Sequence, residues 1–119
     1  MRRSLVTNCP LQVSEGIYII RNVGTGNVIE SEHRKLGRKR RNVHTYVTPL
    51  REELSQFQLW TVFKWAGKEF EYTIRNFATG VVLDIFCAQS KDGTQVIGHS
   101  AYGRPYQTWA FYGSTAAAS

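Results

Sequence analysis

Long apolar runs are missing from this 119-residue chain. No stretch approaches the roughly 18 residues of a membrane-spanning helix. The basic start, Met1-Arg2-Arg3, is not followed by an apolar segment of signal-peptide length, so a cytoplasmic protein is expected. Cysteine is scarce. Cys9 and Cys87 are the only two, which excludes a disulfide framework; a single Cys9–Cys87 bridge stays open, because sequence does not report their separation. The three histidines, His33, His44 and His99, have no ligand spacing with either cysteine, so no metal is expected, and no cofactor motif is present. Glu52 and Glu53 are adjacent rather than facing, and neither cysteine has a neighbouring base in sequence. An enzyme is therefore not expected. Helical periodicity is also absent.

Acidic residues are outnumbered, 9 against 15 basic, giving a net charge of +6. Arg34, Lys35, Arg38, Lys39, Arg40 and Arg41 account for the whole excess. The basicity is thus one loop rather than a surface. That loop reads as a solvated insertion, or as a phosphate-binding or nuclear-import element. It has no interleaved aromatics for base stacking, so weak, non-specific nucleic-acid binding is the most it predicts.

What the chain does have is a stretch that occurs twice. Tyr18-Ile-Ile-Arg-Asn-Val-Gly-Thr-Gly-Asn-Val-Ile-Glu30 returns 54 positions later as Tyr72-Thr-Ile-Arg-Asn-Phe-Ala-Thr-Gly-Val-Val-Leu-Asp84. Each copy is followed by Gln-x-Trp, at Gln58–Trp60 and Gln107–Trp109. Such self-similarity marks a supersecondary unit used more than once. Alternating apolar residues before Asn-x-x-Thr-Gly, and a short apolar return after it, predict a β-hairpin. Further strands are predicted at 43–47 and 58–63 in the first copy. In the second they are predicted at 70–77, 81–86, 95–99 and 108–112, with an Asp92-Gly93 turn. Residues 1–14 read as an irregular lead-in, 51–55 as at most one helical turn, and 113–119 as a disordered tail. The first copy is five residues longer, and the basic loop is the expected place for them. Eight short strands with turns between them predict one all-β domain.

The patterns Tyr-x-Ile-Arg-Asn-x-x-Thr-Gly-x-Val-Leu-Asp, Asp-Gly-Thr-x-Val-Ile-Gly and Gln-x-Trp-x-Phe resemble one repeat of the ricin B-type β-trefoil, with the fungal lectin-like members closest in style. The resemblance covers residues 15–63 and 69–112. It implies a β-trefoil-like fold of four-strand repeats, with Trp60 and Trp109 as core aromatics and Gln58 and Gln107 bonded to backbone at the hairpin base. Only two repeats are visible where a trefoil has three. Either open edges pair between chains, or the chain is part of a longer product, or the same hairpins pack differently. The first option implies a homo-oligomer.

For function the resemblance implies a lectin-like carbohydrate-binding module, for galactose-type sugars. Sugar hydroxyls need an acceptor and a donor–acceptor, and the apolar sugar face needs a flat ring. In the second repeat these roles fall to Asp84, with His99 or Tyr102 as the ring. Tyr106 stands where sugar-binding members have Asn, beside Gln107. The weaker first-repeat site has Glu30 for Asp, Tyr46 as the ring and Phe57 before Gln58. Both sites depart from the family pattern, the first more than the second. The alternative is a β-trefoil protease inhibitor acting through loop 34–42, 49–55 or 101–106, or an assembly subunit with no ligand of its own.

Overall fold

The structure, a computed structural model, describes residues 6–34 and 42–114. Among these are ten strands: β1 (Val6–Leu11), β2 (Gly16–Tyr18), β3 (Val28–Ser31), β4 (Asn42–Val43), β5 (Thr45–Thr48), β6 (Trp60–Lys64), β7 (Tyr72–Asn76), β8 (Val82–Ile85), β9 (Val96–His99) and β10 (Phe111–Ser114). Single 3-10 turns occupy Gln56–Gln58, Phe86–Ala88 and Pro105–Gln107.

The two copies follow one plan. Their first strands meet their last, with Tyr18 opposite Trp60 and Tyr72 opposite Trp109. Their middle strands form antiparallel pairs, β3 with β5 and β8 with β9. β6 then pairs with β7 from Trp60–Asn76 to Lys64–Tyr72 and joins the copies. The repeated Asn-x-x-Thr-Gly makes the same turn twice. Asn22 Oδ1 accepts from the N–H and hydroxyl of Thr25, and Asn76 Oδ1 accepts from those of Thr79. The Gly26 and Gly80 amides donate back to the Asn carbonyls, with φ of 78° and 77°. Glycine reaches that left-handed region without a Cβ clash, which is why the motif keeps it.

The core is built from equivalent positions. Trp60, Val62, Tyr72, Ile74 and Leu83 are buried, and Tyr18, Ile20, Ile29, Trp109, Phe111 and Val13 pack against them half-buried. The buried members lie at the junction, late in the first copy and early in the second. Their counterparts at the outer ends are the half-buried ones. The core is thus closed where two copies meet and open on the far side.

Several expectations need correction. Residues 6–11 are a strand rather than an irregular lead-in: β1 pairs with β10, with Pro10 opposite Tyr112 and a register shift between Val6 and Pro10. Among the described residues its ladder has no third strand, so Pro10 sits where its missing N–H is tolerated. Residues 113–114 end β10 rather than beginning a tail; 115–119 lie outside the described residues. The expected strand 43–47 divides at His44, because Val43 joins β9 while Thr45–Thr48 joins β3. The strand expected over 58–63 starts at Trp60, after a 3-10 turn capped by the Ser55 hydroxyl. No helical turn forms over 51–55. Trp60 is fully buried, but Trp109 is only half-buried. The Cys9–Cys87 bridge that the sequence left open is not formed. The extra length of the first copy is shared. Glu30 to Thr48 spans three more positions than Asp84 to His99, and the remaining two lie between Arg51 and Gln58.

Candidate functional site

Asp84 stands near the end of β8, and its two oxygens are held differently. Oδ1 accepts from the Ile85 amide at 2.6 Å, and Oδ2 accepts from Gln107 Nε2 at 3.0 Å. Gln107 is buried and fully used: Nε2 also donates to Ser100 O at 2.9 Å, and Oε1 accepts from the Tyr102 amide at 2.7 Å. This one side chain therefore aims the carboxylate and shapes the loop that carries Tyr102. It does more than the backbone bonding expected of it.

Asp84, His99, Tyr102 and Tyr106 line one cavity of about 330 Å³. The structure brings these expected residues together, with Gln107 behind Asp84. The His99 and Tyr102 rings are 5.2 Å apart and tilted by 55°. His99 Nδ1 donates to Ser100 O at 2.9 Å, leaving Nε2 as an acceptor. The guanidinium of Arg104 lies 5.2 Å from the Tyr102 ring centroid, within cation–π range. Sequence reasoning missed Arg104, Cys87 and Asn42, which also line the cavity. Asn42 comes from the first copy, through the pairing of Asn42 with His99. No within-repeat pattern signals that. Arg104 and Cys87 had only their nearness to Tyr106 and Asp84 in sequence.

The first copy is arranged otherwise. Glu30 is 0% exposed. Oε1 accepts from Arg51 Nε at 3.2 Å, and Oε2 accepts from Arg51 Nη2 at 3.0 Å and the Tyr46 hydroxyl at 2.8 Å. His33 Nε2 is 2.9 Å from the same oxygen, and its ring stacks on Phe57 at 3.8 Å. Four contacts from this chain's own side chains converge on the carboxylate, three of them on Oε2. Burial by itself pushes the Glu30 carboxyl up. The hydrogen bonds from Arg51 and Tyr46, the Arg51 charge and the His33 contact outweigh it and hold the group below its ordinary 4.5. Gln58 does not reach Glu30; it donates to Pro49 O and accepts from the Arg51 amide. Glu30 and Tyr46 do come together as expected, but around a plug rather than a cavity.

Of the basic loop, Arg34 is described and pairs with Glu32 at 3.0 Å. Lys35, Arg38, Lys39, Arg40 and Arg41 lie outside the described residues. No group of three or more histidine, cysteine or acidic side chains that could hold a metal occurs among the described residues. No helix there is long and apolar enough to cross a membrane.

The model of the ricin-type β-trefoil lectin domain-like family matches residues 8–99 and 56–118. The chain belongs to that family, one of carbohydrate-binding modules. A solved structure titled "PSL1a-E64 complex" superposes with a TM-score of 0.69 at 21% identity, over 82% of this chain and 34% of that one. At that identity the likeness is one of fold. The chain spans about a third of that neighbour's length. No curated protein matches the chain significantly.

Proposed function

We propose that the chain is a carbohydrate-binding module with one working site, the second-repeat cavity, and one site closed by its own side chains. The observation that carries this is the contrast between two equivalent acids. Asp84 is half-buried, aimed by Gln107 and open to a cavity, whereas Glu30 is fully buried under Arg51, Tyr46 and His33. A cavity of about 330 Å³ is at the small end of ligand sites and suits one sugar unit. Asp84 accepts from paired hydroxyls, His99 Nε2 accepts another, Arg104 donates, and the Tyr102 or Tyr106 ring takes the apolar sugar face. Tyr106 in place of an amide-bearing residue removes one donor–acceptor, so affinity is expected to be modest. A galactose-type sugar is the first candidate. A glycan array tests the reading: terminal galactose-type glycans should be retained, and binding to no glycan at all would reject it.

A second reading, protease inhibition, is favoured by one observation. The segment Pro49–Ser55 presents Leu50 and Leu54 at 48% and 63% exposure. Loop 101–106 is instead committed to the cavity wall. A small protease panel separates the readings: inhibition abolished by Leu54→Asp, without loss of fold, would support the inhibitor.

A further inference from the structure

A second cavity, of about 200 Å³, lies beyond Gln107 and shares no lining residue with the first. Its walls include the rings of Phe63 and Trp65, the side chains of Thr73 and Arg75, and Gly103. Three hydrogen-bond donors here have no partner among the described residues: Trp65 Nε1–H, the Thr73 hydroxyl and the Arg75 guanidinium. Thr73 is only 6% exposed, and a buried hydroxyl left without a partner is costly. Arg75 meets only a ring, its guanidinium carbon 5.6 Å from the Phe63 centroid. Gly103 has φ of 65°, and a Cβ there would lie 3.6 Å from Trp65 Nε1, so the glycine keeps space open before the indole N–H. No carboxylate lines the cavity, and the amide of Gln107, its one side-chain carbonyl, is already spent on Asp84, Ser100 and Tyr102. Lys68 lies 5.3 Å from the Trp65 ring but is paired with Glu71 at 3.8 Å, so Arg75 is the charge that the cavity offers.

Donors without acceptors, an unpaired guanidinium and two flat apolar walls select an oxyanion on a small ring-like body. We propose that this cavity is an anion-binding site that takes the carboxylate of a small acidic sugar, a hexuronate. Arg75 and Thr73 hold the carboxylate, Trp65 Nε1–H donates to it, and the Phe63 and Trp65 rings flank the sugar. The site is particular to the second copy: where Thr73 stands, the first has Ile19, which offers no donor. It shares no lining residue with the Asp84 cavity and needs no ligand there.

The test is a titration of the isotope-labelled chain with glucuronate, glucose and sulfate, reading the Trp65 indole and Arg75 side-chain resonances. Those signals are separate from His99 and Tyr102, so binding at the first cavity reads differently. Glucuronate should move both signals at millimolar concentration, and glucose should not. Folded Arg75→Gln should weaken binding at least about tenfold. Thr73→Val, nearly the same shape, should weaken it severalfold and provides the answer should Arg75→Gln fail to fold. No shift with glucuronate, an equal shift with glucose, a response to sulfate alone, or undiminished binding in the folded variants would overturn the proposal.

Discussion

Arg51 closes on both oxygens of Glu30, at 3.2 and 3.0 Å, at the point where the second copy leaves Asp84 facing a cavity. The backbone explains the substitution. The amide of Arg51 donates to Gln58 as that of Tyr102 does to Gln107, so the two residues occupy one place in the repeat. In one copy the place holds an aromatic wall. In the other it holds a guanidinium that reaches back to the acid. The two copies thus share one backbone frame and differ in the side chain that it presents to the acid.

If Glu30 is now structural, removing its partner leaves a buried carboxylate short of donors. Arg51→Met should lower the midpoint of urea unfolding clearly, because Glu30, fully buried beneath the exposed Arg51, loses its charged donor. Arg104→Met, at an exposed cavity-lining position, should leave the midpoint nearly unchanged. Equal midpoints for the two variants would show that the plug does not stabilise the fold.

The same contacts set a pH dependence. The Glu30 carboxyl is held below 4.5 when folded, so its contribution is present above the unfolded-state value and is lost as pH falls through the folded one. Thermal unfolding from neutral to strongly acidic pH should show the parent losing stability below about that value. Glu30→Gln should show a shallower loss in the same window, measured by circular dichroism. Coincident profiles would assign the acid sensitivity to other carboxylates.

Much of this was legible in the sequence, and the limits have physical causes. The Asn-x-x-Thr-Gly turn and the Gln-x-Trp register are local patterns whose bonds close within one copy. They gave the repeat and the hairpins; the grouping of Asp84, His99, Tyr102 and Tyr106 came from the family resemblance that those patterns carry. What the sequence hid depends on long-range partners. The strand 6–11 exists because β10 pairs with it, and its own residues, broken by Pro10, alternate poorly. Asn42 reaches the cavity only through the β4–β9 pairing. Arg51 had no signal as a plug, since nothing near it in sequence says that its side chain returns 21 positions to Glu30.

The two tryptophans should differ in cost. Each indole donates to the carbonyl just before the repeat's acid, Trp60 to Ile29 and Trp109 to Leu83, at 3.0 and 3.1 Å. Trp60 is fully buried, so Trp60→Ala should cost about 3–5 kcal/mol. Trp109 is half-buried, so Trp109→Ala should cost about half as much in the same urea titration. A larger loss at Trp109 would mean that the open side is covered in solution.

Such a cover is what the junction between copies suggests. Asn76 Nδ2 donates to Phe57 O across it, at 2.9 Å. The counterparts, Asn22 Nδ2 and Tyr106 O, have no partner among the described residues. Trp109 lines an apolar groove with Val47 and Val96, which are 57% and 43% exposed. We propose that a second copy meets this side, placing an Asn22 against a Tyr106 carbonyl. Sedimentation at micromolar concentration should show self-association that Val96→Lys reduces. A monomer at every concentration would reject it.

The central claim, that Asp84 is the acid of the working sugar site, is tested most directly by calorimetric titration of parent, Asp84→Asn and Glu30→Gln with the best glycan from the array. The account predicts binding by the parent, no measurable binding by a folded Asp84→Asn, and parent-like affinity for Glu30→Gln, whose site is plugged. Undiminished binding by Asp84→Asn, or loss confined to a folded Glu30→Gln, would contradict it.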